Sequence, residues 1–296
     1  MAHTPTTADH ASGTRTLSWV FPALVTLGFL VVLGILYRTV IAELVELWRT
    51  SDDYSHGILV PFFCAFLVWQ RREQLRAAPR RGDALGLPVL LLGLGALALG
   101  EPLGINTATR VSLVVVLAGL VLFHFGRDVF RLLAFPLVFF LLFAGPLNYV
   151  FYAATVPLQH LAVRSAAATL DALGVPVLLD GNIIHLSRIS LGVTEACSGI
   201  RSLISLLALA VAWGALTMPG IWGMSLLAAA AVPVTVIANA ARIVATGLIA
   251  QRFGGDYARG FFHAFSGWVM FALALLCLLT LDRLARALVT RLRSSR

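Results

Sequence analysis

Three residues in the second half of the chain have types suited to acyl transfer: Cys197, Arg242 and His263. A thiolate is a strong nucleophile, and a neighbouring cation lowers its pKa. A histidine protonates a departing amine near neutral pH. A guanidinium stays charged and stabilises a tetrahedral oxyanion. Each of the three opens or interrupts a long apolar run, where ionisable residues are costly and mark function. The blocks around them read Glu195-Ala-Cys-Ser-Gly-Ile-Arg201, Asn239-Ala-Ala-Arg242 and His263-Ala-Phe-Ser-Gly267-Trp268. Glu195, Ser198, Arg201 and Asn239 are supporting candidates. Arg201 falls one helical turn after Cys197 and suits either pairing with Glu195 or binding substrate.

Simpler readings compete. A cysteine at a helix start is commonly a small apolar residue, but Glu195, Gly199 and Arg201 beside Cys197 favour chemistry. Arg242 could snorkel from a helix end, and His263 could be an interfacial histidine bonded to backbone. Cys64 and Cys277 lie in apolar runs and read as packing residues; three cysteines make no disulfide framework. His124 and His160 read as interfacial, and His185 as a weaker alternative base. All 22 basic residues are arginine, which excludes Schiff-base chemistry, a Ser–Lys dyad and a Cys–Glu–Lys acyltransferase. There is no His-Glu-x-x-His metal motif and no aspartate pair inside the apolar runs. Ala196 stands where rhomboid-type serine proteases carry a glycine.

These residues need a scaffold, and composition names it. The 296 residues are 59% apolar and 12% charged, with mean hydropathy +0.90; soluble domains carry about 25% charge. A soluble enzyme, a disordered chain and a fibrous chain are excluded. An all-α polytopic membrane protein is expected. The net charge of +8 is not a nucleic-acid signature, because the arginines flank apolar runs as topology determinants do.

Eight spans are expected, over 18–41, 57–70, 85–103, 111–125, 129–147, 200–218, 221–250 and 264–281. The second and fourth are short, and the seventh has Pro233 at which to bend. The run after the polar first residues is too long for a cleaved signal peptide. Five arginines in 71–81 and five after residue 281 place those segments in the cytoplasm, and acidic 42–56 outside. Both termini are then cytoplasmic. The expected organisation is a tail over 1–17, one membrane domain over 18–281 and a basic tail over 282–296. The catalytic helices would occupy 197–281. Segment 148–199 is extracytoplasmic: an amphipathic stretch along the membrane surface to Leu173, then a small hairpin with its turn signalled by Asp180-Gly181. On this topology Cys197, Arg242 and His263 all fall near the outer face.

The three blocks resemble the exosortases and their archaeal relatives, the archaeosortases. Asp53-Tyr-Ser-His-Gly57, followed by an apolar run and Arg71-Arg72, resembles the N-terminal part of the same family, so the likeness covers about 50–280. The resemblance implies an eight-span enzyme of the cell inner membrane. Its substrates would be membrane-anchored proteins ending in a Pro-Glu-Pro-type motif, an apolar helix and an Arg-rich end. It implies Cys197 as nucleophile, Arg242 as oxyanion stabiliser and His263 as acid/base, with Glu195 or Asp256 to orient the histidine. No metal or organic cofactor and no nucleic acid is expected. Two other functions fit the residues: a non-catalytic assembly or transport factor for exopolysaccharide, and a thiol-dependent membrane acyltransferase.

Overall fold

The computed structural model describes residues 28–29, 31–145, 147–187, 190–192, 200–218, 220–254 and 261–294. Tyr37, just before helix α1 (Arg38–Thr50), continues into a buried stripe with Val40 and Leu44 of the helix. Tyr37 meets Ser112, with Oη and Oγ 3.1 Å apart. Glu43 on the wetter side pairs with Arg110 at 3.4 Å. This amphipathic pattern carries the helix past residue 41, the expected end of the first span, to Thr50. A 3₁₀ turn (Asp52–Ile58) follows, then α2 (Leu59–Gln70) and the short α3 (Arg72–Ala77). At 12 residues, α2 is about 18 Å long, well below the ~30 Å of a bilayer core.

Helices α4 (Gly86–Gly100) and α5 (Asn106–Phe143) pack closely. Gly86, Gly93 and Gly100, seven apart, bring the α4 backbone against Phe123, Val116 and Thr109. A methyl on Gly86 would lie 2.2 Å from the Phe123 nitrogen. Small residues replace side-chain bulk with backbone approach, as membrane helices require.

The chain of α5 folds back at Gly126, whose φ of 83° breaks the helix. Arg110 meets Glu43 midway along α1, and the Ala144 carbonyl accepts from Trp48 Nε1 at 2.7 Å about one and a half turns further on. A straight helix would hold Arg110 and Ala144 about 50 Å apart. Gly126 therefore sits at the far end, where the Arg81 carbonyl occupies the place of a Cβ. The two expected segments 111–125 and 129–147 are the two arms of this element.

Helix α6 (Asn148–Ala172) leads to a three-stranded antiparallel sheet: β1 (Val177–Asp180), β2 (Ile183–Leu186) and β3 (Ser190–Gly192). The expected hairpin is present, with its loop one residue later, at Gly181-Asn182. Asp180 pairs with Ile183, and only Gly181 has positive φ, 57°. That is the pattern of a turn with glycine first. The third strand had no signal in the sequence. Val163, Ala166, Leu170, Ile184 and Ile243 form one buried cluster, which seats α6 and the sheet on the next long helix but one.

Helices α7 (Ile200–Thr217), α8 (Ile221–Phe253) and α9 (Phe261–Ser294) complete the bundle. Helix α8 is one continuous element through Pro233. Helix α9 runs on through 282–294, the stretch read from sequence as a tail. Among the described residues three helices are long and apolar enough to cross a membrane: Asn106–Phe143, Ile221–Phe253 and Gly267–Ala287. Gly86–Gly100 and Ser202–Thr217 are shorter apolar helices. Large apolar side chains stand exposed around the bundle, Trp222 at 86% and Phe62 at 71%. Such a surface suits lipid, not water. The fold is that of an all-α polytopic membrane protein with a small sheet.

Candidate active site

Helices α7, α8 and α9 converge on a cavity of about 20 Å³. It is lined by Ser202 and Leu206 of α7, by Thr235, Ala238, Asn239 and Arg242 of α8, and by Gly267, Met270, Phe271 and Ala274 of α9. The lining residues recur every three or four positions, one face from each helix. A water needs about 10–15 Å³ by the same measure, so the space takes one oxygen-sized group.

Arg242 lies against the α9 backbone at Gly267. A methyl on Gly267 would stand 3.5 Å from Arg242 Cζ and 3.6 and 3.7 Å from its two terminal nitrogens. A larger side chain would displace the guanidinium. His263 precedes Gly267 by one helical turn, so its position falls on the same face of α9; its side chain lies outside the described residues. Cys197, Glu195 and Ser198 also lie outside them, as does Asp256. Arg201 is in the first turn of α7, with its side chain outside the description. Ser202, on the cavity wall, follows Cys197 by five positions. Of the seven candidates, Asn239 and Arg242 are brought together at the cavity.

The sheet approaches from above Arg242. Leu170 of α6 and Leu186 of β2 pack over Gly247, where a methyl would meet Leu170 Cδ1 at 3.0 Å and Leu186 Cδ1 at 3.6 Å. Ile243 and Val244, next to Arg242, join the same cluster. Strand β3 ends at Gly192, five residues before Cys197. The sheet thus fixes the point from which the chain enters the cysteine block.

Asp53–Gly57 forms a packed knot beside α7. Gly57 sits under the Trp48 ring, where a methyl would come 2.4 Å from Cδ1. Tyr54 and His56 stack with ring centroids 6.2 Å apart. His56 Nδ1 lies 3.3 Å from Ser205 Oγ of α7. Burial pushes the His56 pKa down, partly offset by backbone hydrogen bonds at Asp53 and Phe143. Burial also raises the Tyr54 phenol to about 12, with Asp53 adding to it and Arg110 opposing it.

The other described histidines and cysteines stand away from the cavity lining. His185 Nδ1 is 2.8 Å from Ser190 Oγ, joining β2 to β3. Exposed His124 has Nδ1 3.1 Å from the Leu120 carbonyl. Cys64 donates to the Pro136 carbonyl at 3.3 Å, and Cys277 is exposed on α9. Among the described residues no group of His, Cys, Asp and Glu is placed to hold a metal. Sequence reasoning missed Ser202 and Thr235. Their signal is periodic: Thr235 is four residues before Asn239, and Ser202 lies four before Leu206 on the same wall.

No curated protein and no solved structure is significantly similar to this chain. The family model of the transmembrane exosortases matches residues 48–280. That span takes in the cavity, the sheet and the Asp53–Gly57 knot, and the chain belongs to the transmembrane exosortases, a family of membrane enzymes.

Proposed function

We propose that this protein is a cysteine transpeptidase of the cell inner membrane that cleaves C-terminal sorting signals. Its substrates are membrane-anchored proteins with a Pro-Glu-Pro-type motif, an apolar helix and an Arg-rich end. The Cys197 thiolate attacks the scissile carbonyl, Arg242 stabilises the oxyanion, and His263 protonates the departing amine. An amine acceptor or water then resolves the thioester. The scheme calls on no metal or organic cofactor.

The observation that carries this reading is the Arg242–Gly267 contact at the cavity. It sets a permanent cation on the wall shared by the helix that begins just after Cys197 and the helix face that bears position 263. The distribution of arginine supports an outward-facing site. Segment 71–81 reaches Gly126, at the opposite end of α5 from Arg110, and Asp282 with Arg286 lies far along α9 from Gly267. Arginine-rich ends face the cytoplasm, which leaves the cavity end extracytoplasmic. On this assignment both termini are cytoplasmic, and the chain makes eight crossings.

Acid-quenched intact mass spectrometry tests it. The full-length protein in vesicles is mixed with a membrane protein bearing the signal described above. The expected species is Cys197 carrying the substrate's N-terminal fragment, released by hydroxylamine. A fatty acyl group on Cys197 instead, or cleavage with Cys197 replaced by alanine, would overturn the assignment.

A further inference from the structure

Asn239 is a largely buried amide with no hydrogen-bond partner among the described residues. It is 7% exposed, lines the cavity and precedes Arg242 by three residues on the same face of α8. Thr235, on the same wall one turn deeper, is satisfied by its own helix: its hydroxyl donates to the Ala231 carbonyl at 2.7 Å. The Asn239 amide faces the cavity and is open to a group that enters there.

The cavity limits what that group is. At about 20 Å³ it has room for one oxygen-sized group. Asn239 and Arg242 stand about 4.5 Å apart along the helix axis, and both line the same cavity. One of the two is a fixed cation and the other a neutral donor, a pairing suited to a carbonyl oxygen that gains charge during reaction.

We propose that Asn239 is a catalytic residue, the second donor to the scissile carbonyl oxygen beside Arg242. This rests on the acyl-transfer reading above. As the Cys197 thiolate forms the C–S bond, the carbonyl π pair moves onto oxygen, and the Asn239 N–H and the Arg242 guanidinium receive the charge. When that pair returns, the C–N bond breaks and the amine leaves with the proton that His263 took from the thiol. Asn239 neither gives nor takes a proton. It binds the oxygen more strongly in the transition state than in the substrate.

The test is steady-state processing by full-length Asn239→Leu and Asn239→Asp proteins in vesicles, with thermal unfolding measured on the same samples. The substrate is a membrane protein ending in a Pro-Glu-Pro-type motif, an apolar helix and an Arg-rich end. Asn239→Leu removes an unbonded amide, so its unfolding temperature should equal or exceed that of the parent. Its kcat should fall about a hundred- to a thousand-fold with KM within about threefold, the range seen for loss of one oxyanion donor. Asn239→Asp keeps the shape and loses the N–H donors, and its kcat should fall likewise. Retained kcat in Asn239→Leu overturns the proposal. So does lowered thermal stability that accounts for the lost rate, or failure of both variants to fold, because the amide is then a structural group. Cys197→Ala run in parallel separates the two levels. If it is inactive while Asn239→Leu is active, only the role of Asn239 falls. If Cys197→Ala is active, the acyl-transfer reading falls as well.

Discussion

His56 and Ser205 are 149 residues apart in the chain, and their Nδ1 and Oγ atoms meet at 3.3 Å. The contact ties the Asp53–Gly57 knot to α7 about one and a half turns below Ile200, where the cysteine block enters it. His56 Nε2 is buried with no partner among the described residues. Protonation would put a charge there, and burial resists it, which is why the pKa is lowered. A histidine with a depressed folded pKa binds fewer protons folded than unfolded. Its contribution is therefore fully present above about pH 6.5, the unfolded value. It is lost as pH falls from there toward the folded pKa. Replacement by asparagine, which has no proton to gain, should flatten this acid limb of the stability curve. Thermal unfolding of His56→Asn across pH 5–8 checks it, and a limb as steep as the parent's would assign the slope to other groups. Ser205→Ala should cost about 1 kcal/mol, the usual worth of one neutral hydrogen bond.

Gly267 sets a size limit at Arg242. A methyl there reaches the guanidinium at 3.5–3.7 Å, ordinary van der Waals contact. Gly267→Ala should retain most processing and stabilise α9 by about 0.5–1 kcal/mol, the helical advantage of alanine over glycine. Gly267→Leu must push the guanidinium aside and should lose processing while folding normally. Equal activity in the two variants would mean that the position of Arg242 is not set by this contact.

Asp282 locks the other end of α7 to α9. It is 1% exposed; Trp213 Nε1 donates to its Oδ2 at 3.0 Å, and Arg286 pairs with the same oxygen. A buried carboxylate that loses a donor keeps its desolvation cost. Trp213→Phe should destabilise by about 1–3 kcal/mol, read as a lower unfolding temperature in detergent. Activity per folded molecule should be unchanged, because Trp213 is not part of the cavity wall. A fall in kcat without a fall in stability would connect this end to the chemistry.

How much of this was legible in the sequence follows from range. Local signals served well for the Gly181 turn and the apolar helices, which are properties of short windows. The reversal at Gly126 was legible only as a gap between two apolar runs. Nothing local shows that Arg81, 45 positions earlier, presses its carbonyl into that turn. The His56–Ser205 contact and the use of Gly267 as a seat for Arg242 depend on which helices become neighbours. Periodicity gives the buried face of a helix but not its partner. The exposed end of α1 beyond residue 41 was hidden for another reason: a helix that leaves the apolar run continues on amphipathic spacing, which hydropathy does not register.

Substitutions at the three proposed catalytic positions separate their roles. Cys197→Ala should abolish processing, because no other residue of the set can form the acyl intermediate. Cys197→Ser should be nearly as poor, since a hydroxyl has a pKa far above that of a thiol and needs a strong base beside it. Arg242→Lys keeps a charge but replaces a planar fork of donors with a point cation that sheds its proton when desolvated. Its loss should be on the order of 3–4 kcal/mol, a hundred- to a thousand-fold in rate, as for removal of an oxyanion donor. His263→Ala should lower kcat more than it raises KM, because proton transfer belongs to the transition state. Cys64→Ala should stay active: its thiol donates to the Pro136 carbonyl, away from the cavity. Cys277→Ala should stay active too, since that thiol is exposed on α9. The readout is the mobility shift of a co-expressed substrate with a Pro-Glu-Pro-type tail. If Cys197→Ala processes that substrate while Cys64→Ala or Cys277→Ala does not, the nucleophile is elsewhere, and Arg242 and the cavity lose their assigned part in the reaction.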